Sequence, residues 1–226
     1  MLTCFGVNSS SDLLATAGVD LGPREEGEPN GDWPYREVVV SLMWLSTMTM
    51  MWLSTMTRPD ISNAVRAVAR HSQHPTDRHC KAFLKIMAYL HGTRGMGLTF
   101  VRGSELDLTA YSDADYADKS SDRRSVSGTV ITLGGAVVSW ASSKPRCVTL
   151  STAEAEYVAL GEGVKEALFT GAVLSCICPE LIESCVRVFE DNQGGIELAE
   201  NPLSSAWSKH IDAGLHFVTK LLRARR

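Results

Sequence analysis

The chain has 226 residues, of which 44% are hydrophobic, 21% charged and 7% aromatic, with a formal net charge of −4. That length holds one domain or two. The composition excludes wholesale disorder, a collagen-like repeat and a small disulfide scaffold, and the acidic balance excludes a uniformly basic nucleic-acid coat.

The charge is unevenly spread. Residues 1–34 carry one base and six acids, residues 35–103 nine bases and three acids, and residues 104–226 twelve bases and seventeen acids. A basic middle segment suits phosphates or a solvated face. An acidic last segment suits a metal site built on carboxylates, or again a solvated face.

Residues 1–34 end in GPREEGEPNGDWP and read as a disordered acidic lead-in. The opening MLTCFGVNSSSDLL lacks the basic start and apolar run of a secretory signal. The six cysteines, at 4, 80, 147, 176, 178 and 185, include no CxxC pair. Free thiols in a reducing compartment are expected, and no zinc site. Residues 38–57 carry no charge, which is the length of a membrane span. However, MWLSTMTM at 43–50 is followed at once by MWLSTMTR at 51–58. A duplication that lengthens a buried helix by roughly two turns explains the run better than a membrane does.

Asp60 in RPDISNAV is placed to cap a helix bearing Ile61, Val65, Val68 and Ala69 on one face. A second helix fits 76–91. It has Thr76 or Asp77 as cap, an apolar face of Cys80, Phe83, Leu84, Met87 and Leu90, basic Arg78, Lys81 and Lys85 elsewhere, and Gly92 at its end. From 105 the period becomes two, as Leu106, Leu108 and Ala110 alternate with Asp107, Thr109 and Tyr111 in a strand leading into SDAD. Residues 126–133 and 136–142 read as strands joined by Gly134-Gly135. Ser151 and Glu154 form a capping box that starts a long helix. CVRVFEDN at 185–192 is a further strand and GGIELAEN a further helix. The order β, β, β, α, β, α predicts an α/β fold, a mixed sheet with flanking helices.

Three carboxylates stand where acids are costly unless used. Asp113 ends an otherwise apolar strand, Glu156 lies between Ala155 and Val158 in the first turns of the capped helix, and Asp191 ends VRVF. Acids converging from strand ends and a helix can hold hard cations, or each can face solvent or cap. DADYAD at 113–118 is not an EF-hand loop, because its sixth position is Asp118 and its twelfth Arg124, not Gly and Glu.

Five strings occur in order: YSDADYAD, RRSVSGTVITLGGAVVSWASSK, VTLSTAEAEYVAL, EDNQGGIELAENP and SKHIDAGLHFV. Together they resemble the ribonuclease H domain of copia-type (Ty1/copia) retrotransposon Pol polyproteins. YREVVVSLMWLSTMTRPDISNAV and HPTDRHCKAFLKIMAYLHGT resemble the end of the same element's reverse transcriptase. The resemblance covers residues 35–220. It implies a small helical reverse transcriptase segment over 35–103 and a ribonuclease H-like domain over 104–226. The activity it implies is metal-dependent hydrolysis of the RNA strand in RNA–DNA hybrids, using two Mg²⁺ ions or Mn²⁺.

By the resemblance, Asp113, Glu156 and Asp191 are the metal ligands and catalytic residues. Ser112, Asp115, Glu154 and Asn192 are supporting neighbours. Arg123, Arg124, Ser125, Ser127, Lys144, Ser151 and Thr152 are contacts to the nucleic-acid backbone. The family's fourth carboxylate sits on a final helix after a last strand, and neither is expected before Arg226. Asp212 in KHID belongs to the family pattern as a structural or substrate-side residue, with a substitute fourth ligand as its other reading, and the rest of a Pol polyprotein is the implied partner. A remnant that binds nucleic acid without turnover is the alternative. No YxDD-type aspartate pair is present, so polymerase activity is not expected. The expected location is intracellular, cytoplasmic or nuclear, and not a membrane.

Overall fold

The computed structural model describes residues 21, 27, 53–71, 73–116, 124–145, 147–179, 186–200 and 218. Arg123, Asp212, most of residues 1–34 and the first copy of the tandem repeat lie outside the described residues. The chain divides into two compact units, with the boundary between Leu98 and Thr99.

The first unit is helical. A 3₁₀ turn, Pro59–Ile61, runs into α1, Ser62–Ala69, and α2 spans Asp77–Gly92. The apolar spacing on both helices closes one core: Ile61, Val65 and Val68 meet Phe83, Ile86, Met87 and Tyr89. Leu84, expected on the buried face, is 42% exposed, and Ile86 takes the inward position instead. Thr76 caps α2, and its backbone N–H donates to Nδ1 of the fully buried His79 at 3.0 Å.

Asp60 does not cap α1. It lies inside the 3₁₀ turn, and no side chain caps the helix. Its carboxylate is taken by buried Arg58 instead. The Arg58 Nη2 and Nε donate to Asp60 at 2.7 and 2.9 Å, and the Tyr89 hydroxyl donates at 2.9 Å. Arg58 also donates to the carbonyl and hydroxyl of Thr93, which ties the turn to the end of α2.

The second unit is an α/β layer built on a mixed four-stranded sheet, in the order β3-β2-β1-β4. β1 is Leu108–Asp115, β2 Val126–Leu133 and β3 Ala136–Ser143, and β2 pairs antiparallel with each of the other two. The expected start of β1 moves: Leu106 is exposed, and SDAD itself is strand. Gly134 and Gly135 have φ of 57° and 79°, which suits the tight hairpin between β2 and β3. β4 is only Arg187–Phe189, shorter than expected, and pairs parallel to β1 with Thr109 opposite Arg187 and Tyr111 opposite Phe189.

Helix α3, Thr152–Ile177, covers one face of the sheet, and α4, Gln193–Glu200, packs against α3. Small residues make this layer close: Ala114 meets Ala155 and Ala159, while Leu108, Ala110 and Ile131 pack with Ala167. β1 alternates strictly at its end, with Ser112 and Ala114 buried and Asp113 and Asp115 exposed. No described helix is long and apolar enough to cross a membrane.

Candidate functional site

Asp113, Glu156 and Asp191 converge. Each offers a carboxylate oxygen, and these oxygens lie within 4.8 Å of one another. Three local features bring them together. The parallel register, carried two residues beyond Tyr111–Phe189, sets Asp113 alongside Asp191. The capping box starts α3 at a fixed point: Ser151 Oγ accepts from the Glu154 N–H at 3.2 Å, and the Glu154 carboxylate accepts from the Leu150 N–H at 2.7 Å. Glu156 then follows within the first turns.

The third feature is a pair of glycines in α4. A Cβ on Gly194 would lie 2.9 Å from the Ala153 Cβ, and one on Gly195 would lie 3.1 Å from the Glu156 Cβ. Only glycine lets the start of α4 approach α3 this closely, which keeps Asp191 beside Glu156.

The burial is unequal. Asp113 and Asp191 are exposed, whereas Glu156 is 5% exposed. Its Oε2 is buried without a hydrogen-bond partner. Burial, and then the charges of Glu190 and Asp113, push the Glu156 carboxyl up to about 7, although the Ala114 N–H favours the ionised form. No lysine or arginine among the described residues forms an ion pair with the three acids. An all-oxygen donor set with one orphaned buried oxygen fits a hard divalent cation such as Mg²⁺ or Mn²⁺.

The other expected residues fall in several places. Ser112 is buried on the helix side of β1 and donates to Glu190 Oε2 at 2.9 Å. Asn192 caps α4, its Oδ1 accepting from the Gly195 N–H at 3.0 Å. Asp115 is exposed and stays outside the cluster, and Glu154 is spent on the capping box. Arg124, Ser151 and Thr152 are exposed, and Lys144 is half-buried at the end of β3.

Ser125 and Ser127 differ from their expected surface role. They are 3% and 2% exposed, because they point from β2 and its approach into the interior, and Ser125 shares a 2.8 Å hydrogen bond with Thr149. Glu190 was not expected at the site. Its place beside Asp191 in an acidic pair hides it, but it shares the strand parity of Val188, and that parity aims it at α3.

No protein-family model and no solved structure matches the chain. It is similar to the retrovirus-related Pol polyprotein of transposon TNT 1-94 from Nicotiana tabacum, with 36% identity over 189 residues, 84% of this chain and 13% of that polyprotein. It is 35% identical over 190 residues to the Pol polyprotein of transposon RE1 from Arabidopsis thaliana, covering 81% of this chain and 12% of that one. A shorter relative, secreted RxLR effector protein 161 of Plasmopara viticola, is 41% identical over 136 residues, 60% of this chain and 90% of that protein. The chain thus spans about an eighth of the length of the transposon polyproteins it matches. Similarity on this scale, over more than four fifths of the chain, makes it a member of the copia-type, retrovirus-related Pol polyproteins of transposons.

Proposed function

We propose that the α/β unit is a ribonuclease H-like, Mg²⁺-dependent hydrolase of the RNA strand in RNA–DNA hybrids. The observation that carries this reading is the convergence of Asp113, Glu156 and Asp191 around an orphaned, buried carboxylate oxygen, with no lysine or arginine among the described residues paired to them. Three acids within 4.8 Å repel one another, and an isolated chain gains nothing from holding them so. The sheet order, with three antiparallel strands and a parallel edge strand under a long helix, supports the same reading.

When bound, divalent cations would polarise the scissile phosphate and neutralise charge developing in the transition state. Asp113 and Asp191 would hold them from the sheet end and Glu156 from the helix side, where its buried Oε2 has no hydrogen-bond partner. Asn192 keeps Asp191 in place by capping α4. Exposed Arg124 supplies positive charge for the hybrid backbone, and the exposed Ser151 and Thr152 at the start of α3 offer hydroxyls to its phosphates.

The test is cleavage of a labelled RNA–DNA hybrid by the 226-residue chain, with Mg²⁺, with EDTA, and with Asp191→Asn. The expected result is Mg²⁺-dependent cutting that EDTA abolishes. Asp191→Asn slows it by more than about 100-fold, the upper end of what losing a mere supporting neighbour costs. Salt-sensitive hybrid binding without any metal-dependent cutting would overturn the hydrolase reading in favour of a binding module.

A further inference from the structure

Glu190 has two oxygens, and both are used. Oε2 accepts from the Ser112 hydroxyl at 2.9 Å, and Oε1 accepts from the Asn192 N–H at 3.2 Å. Ser112 immediately precedes Asp113, and Asn192 immediately follows Asp191. The backbone ladder between β1 and β4 stops at Tyr111–Phe189, two residues short of the clustered acids. Beyond that point the Glu190 side chain bridges the two strand ends. Asn192 carries the connection on to α4 through Gly195.

We propose that Glu190 is a positioning residue of the site, whose carboxylate ties the end of β1 to the turn after β4 and fixes the spacing of Asp113 and Asp191. The proposal rests on the metal-site reading above. A fourth carboxylate this close to Glu156 is an unfavourable choice for a residue that only holds strands together. A neutral acceptor would do that with less repulsion. The carboxylate is the group that can accept from both donors while adding negative potential where cations are to be held.

The test uses the full chain with Glu190→Ala, Glu190→Gln and Ser112→Ala. Amide hydrogen exchange over 187–192 reads the clamp in the metal-free protein, and calorimetric titration with Mn²⁺ reads its consequence. Glu190→Ala is expected to speed exchange at Asn192 and weaken Mn²⁺ binding by about 10–100-fold. The metal-free unfolding midpoint holds or rises, since a negative charge leaves the cluster. Glu190→Gln, with one acceptor oxygen, falls between. Adding Ser112→Ala to Glu190→Ala costs little further, because the two share one interaction.

Unchanged exchange at Asn192 in Glu190→Ala overturns the proposal, and so does Mn²⁺ affinity equal to the wild type's. A loss of affinity that merely follows a lowered metal-free midpoint across both Glu190 variants would make it a fold-stabilising residue, which also overturns it. A wild-type chain that takes up no Mn²⁺ overturns the metal reading instead. The exchange rates then decide the clamp alone.

Discussion

Asp60, still partly exposed, and the buried Glu156 are two carboxylates in different units, and their surroundings treat them oppositely. Burial alone would raise the Asp60 carboxyl, but Arg58 and the Tyr89 hydroxyl outweigh it and hold it below its usual range. Burial raises Glu156 too, and there the neighbours add to it, so the group reaches about 7. One acid is answered within its own unit by a guanidinium and a phenol. The other is surrounded by acids and has an oxygen with no partner. The helical unit therefore spends its charge on its own fold, whereas the α/β unit keeps charge available for something brought from outside.

The largest effect that sharpens this contrast is Arg58→Ala. It leaves Asp60 without its cation, frees Thr93, and opens a hole over the Tyr89 ring that Arg58 now covers at 5.6 Å. Losing this part-buried pair and the two Thr93 bonds costs about 2–3 kcal/mol, since the exposed side of Asp60 is rehydrated. Urea unfolding, read by hydrogen exchange in α2, should show that loss, with the α/β unit unaffected. An unchanged midpoint would break the comparison, since the pair would then be no more than a surface contact.

Next in size is Gly194→Ala, whose methyl would meet the Ala153 Cβ at 2.9 Å. Overpacking of this kind costs about 2 kcal/mol. It also pushes the start of α4 away from α3, so Mn²⁺ affinity should fall together with stability. In the helical unit no metal readout accompanies a comparable loss.

The two acids also set opposite pH dependences. Glu156 keeps its proton in the folded chain between its ordinary value of 4.5 and about 7, while the unfolded chain has lost it. Its contribution therefore makes stability fall as pH rises through that window and level off above it. Asp60 is lowered, so its contribution is present above its ordinary value of 3.8 and is lost as pH falls below it. Unfolding of the α/β unit, followed by hydrogen exchange apart from the helical unit, where His71 lowered to about 4 gives the opposite slope, should show the fall between 4.5 and 7, and Glu156→Gln should reduce it to the share of Glu190. Saturating Mg²⁺ should flatten it too, because a held cation favours the ionised form.

How much of this was legible in the sequence depends on the range of the interactions. Asp113 and Asp191 stand out because each closes an apolar strand and Glu156 because it lies in the apolar start of a helix, and the capping box at Ser151 and Glu154 is four residues long. The hairpin at Gly134-Gly135 needs only two. Glu190 was not legible, because its donor Ser112 is 78 residues away and comes alongside only through the parallel register. The Asp60 network was legible only in part: Arg58 is two residues away, but Tyr89 is 29 away. The local pattern offers a helix cap, and Tyr89 from the far helix takes the carboxylate instead. Ser125 and Ser127 follow two arginines and by resemblance are contacts to the nucleic-acid backbone, and only the sheet shows that they face inward.

The smallest effect brings the comparison into one helix. Glu154 and Glu156 are two residues apart on α3, and each is 5% exposed. Glu154 accepts from the Leu150 N–H and lies in the first turn, where the helix dipole favours a negative charge. Glu156 faces three acids and the Ala114 N–H. Glu154→Gln keeps an acceptor oxygen but loses the charge, and should cost about 0.5–1 kcal/mol. Glu156→Gln should stabilise the metal-free chain above pH 7, since it removes a buried charge that its neighbours oppose. Thermal unfolding at pH 8 in EDTA measures both. Opposite signs mean that burial does not decide the role of an acid in this chain; what decides it is whether a partner is already present. Equal signs would mean that Glu156 has a partner of its own, and the case for an external cation would lose its main support.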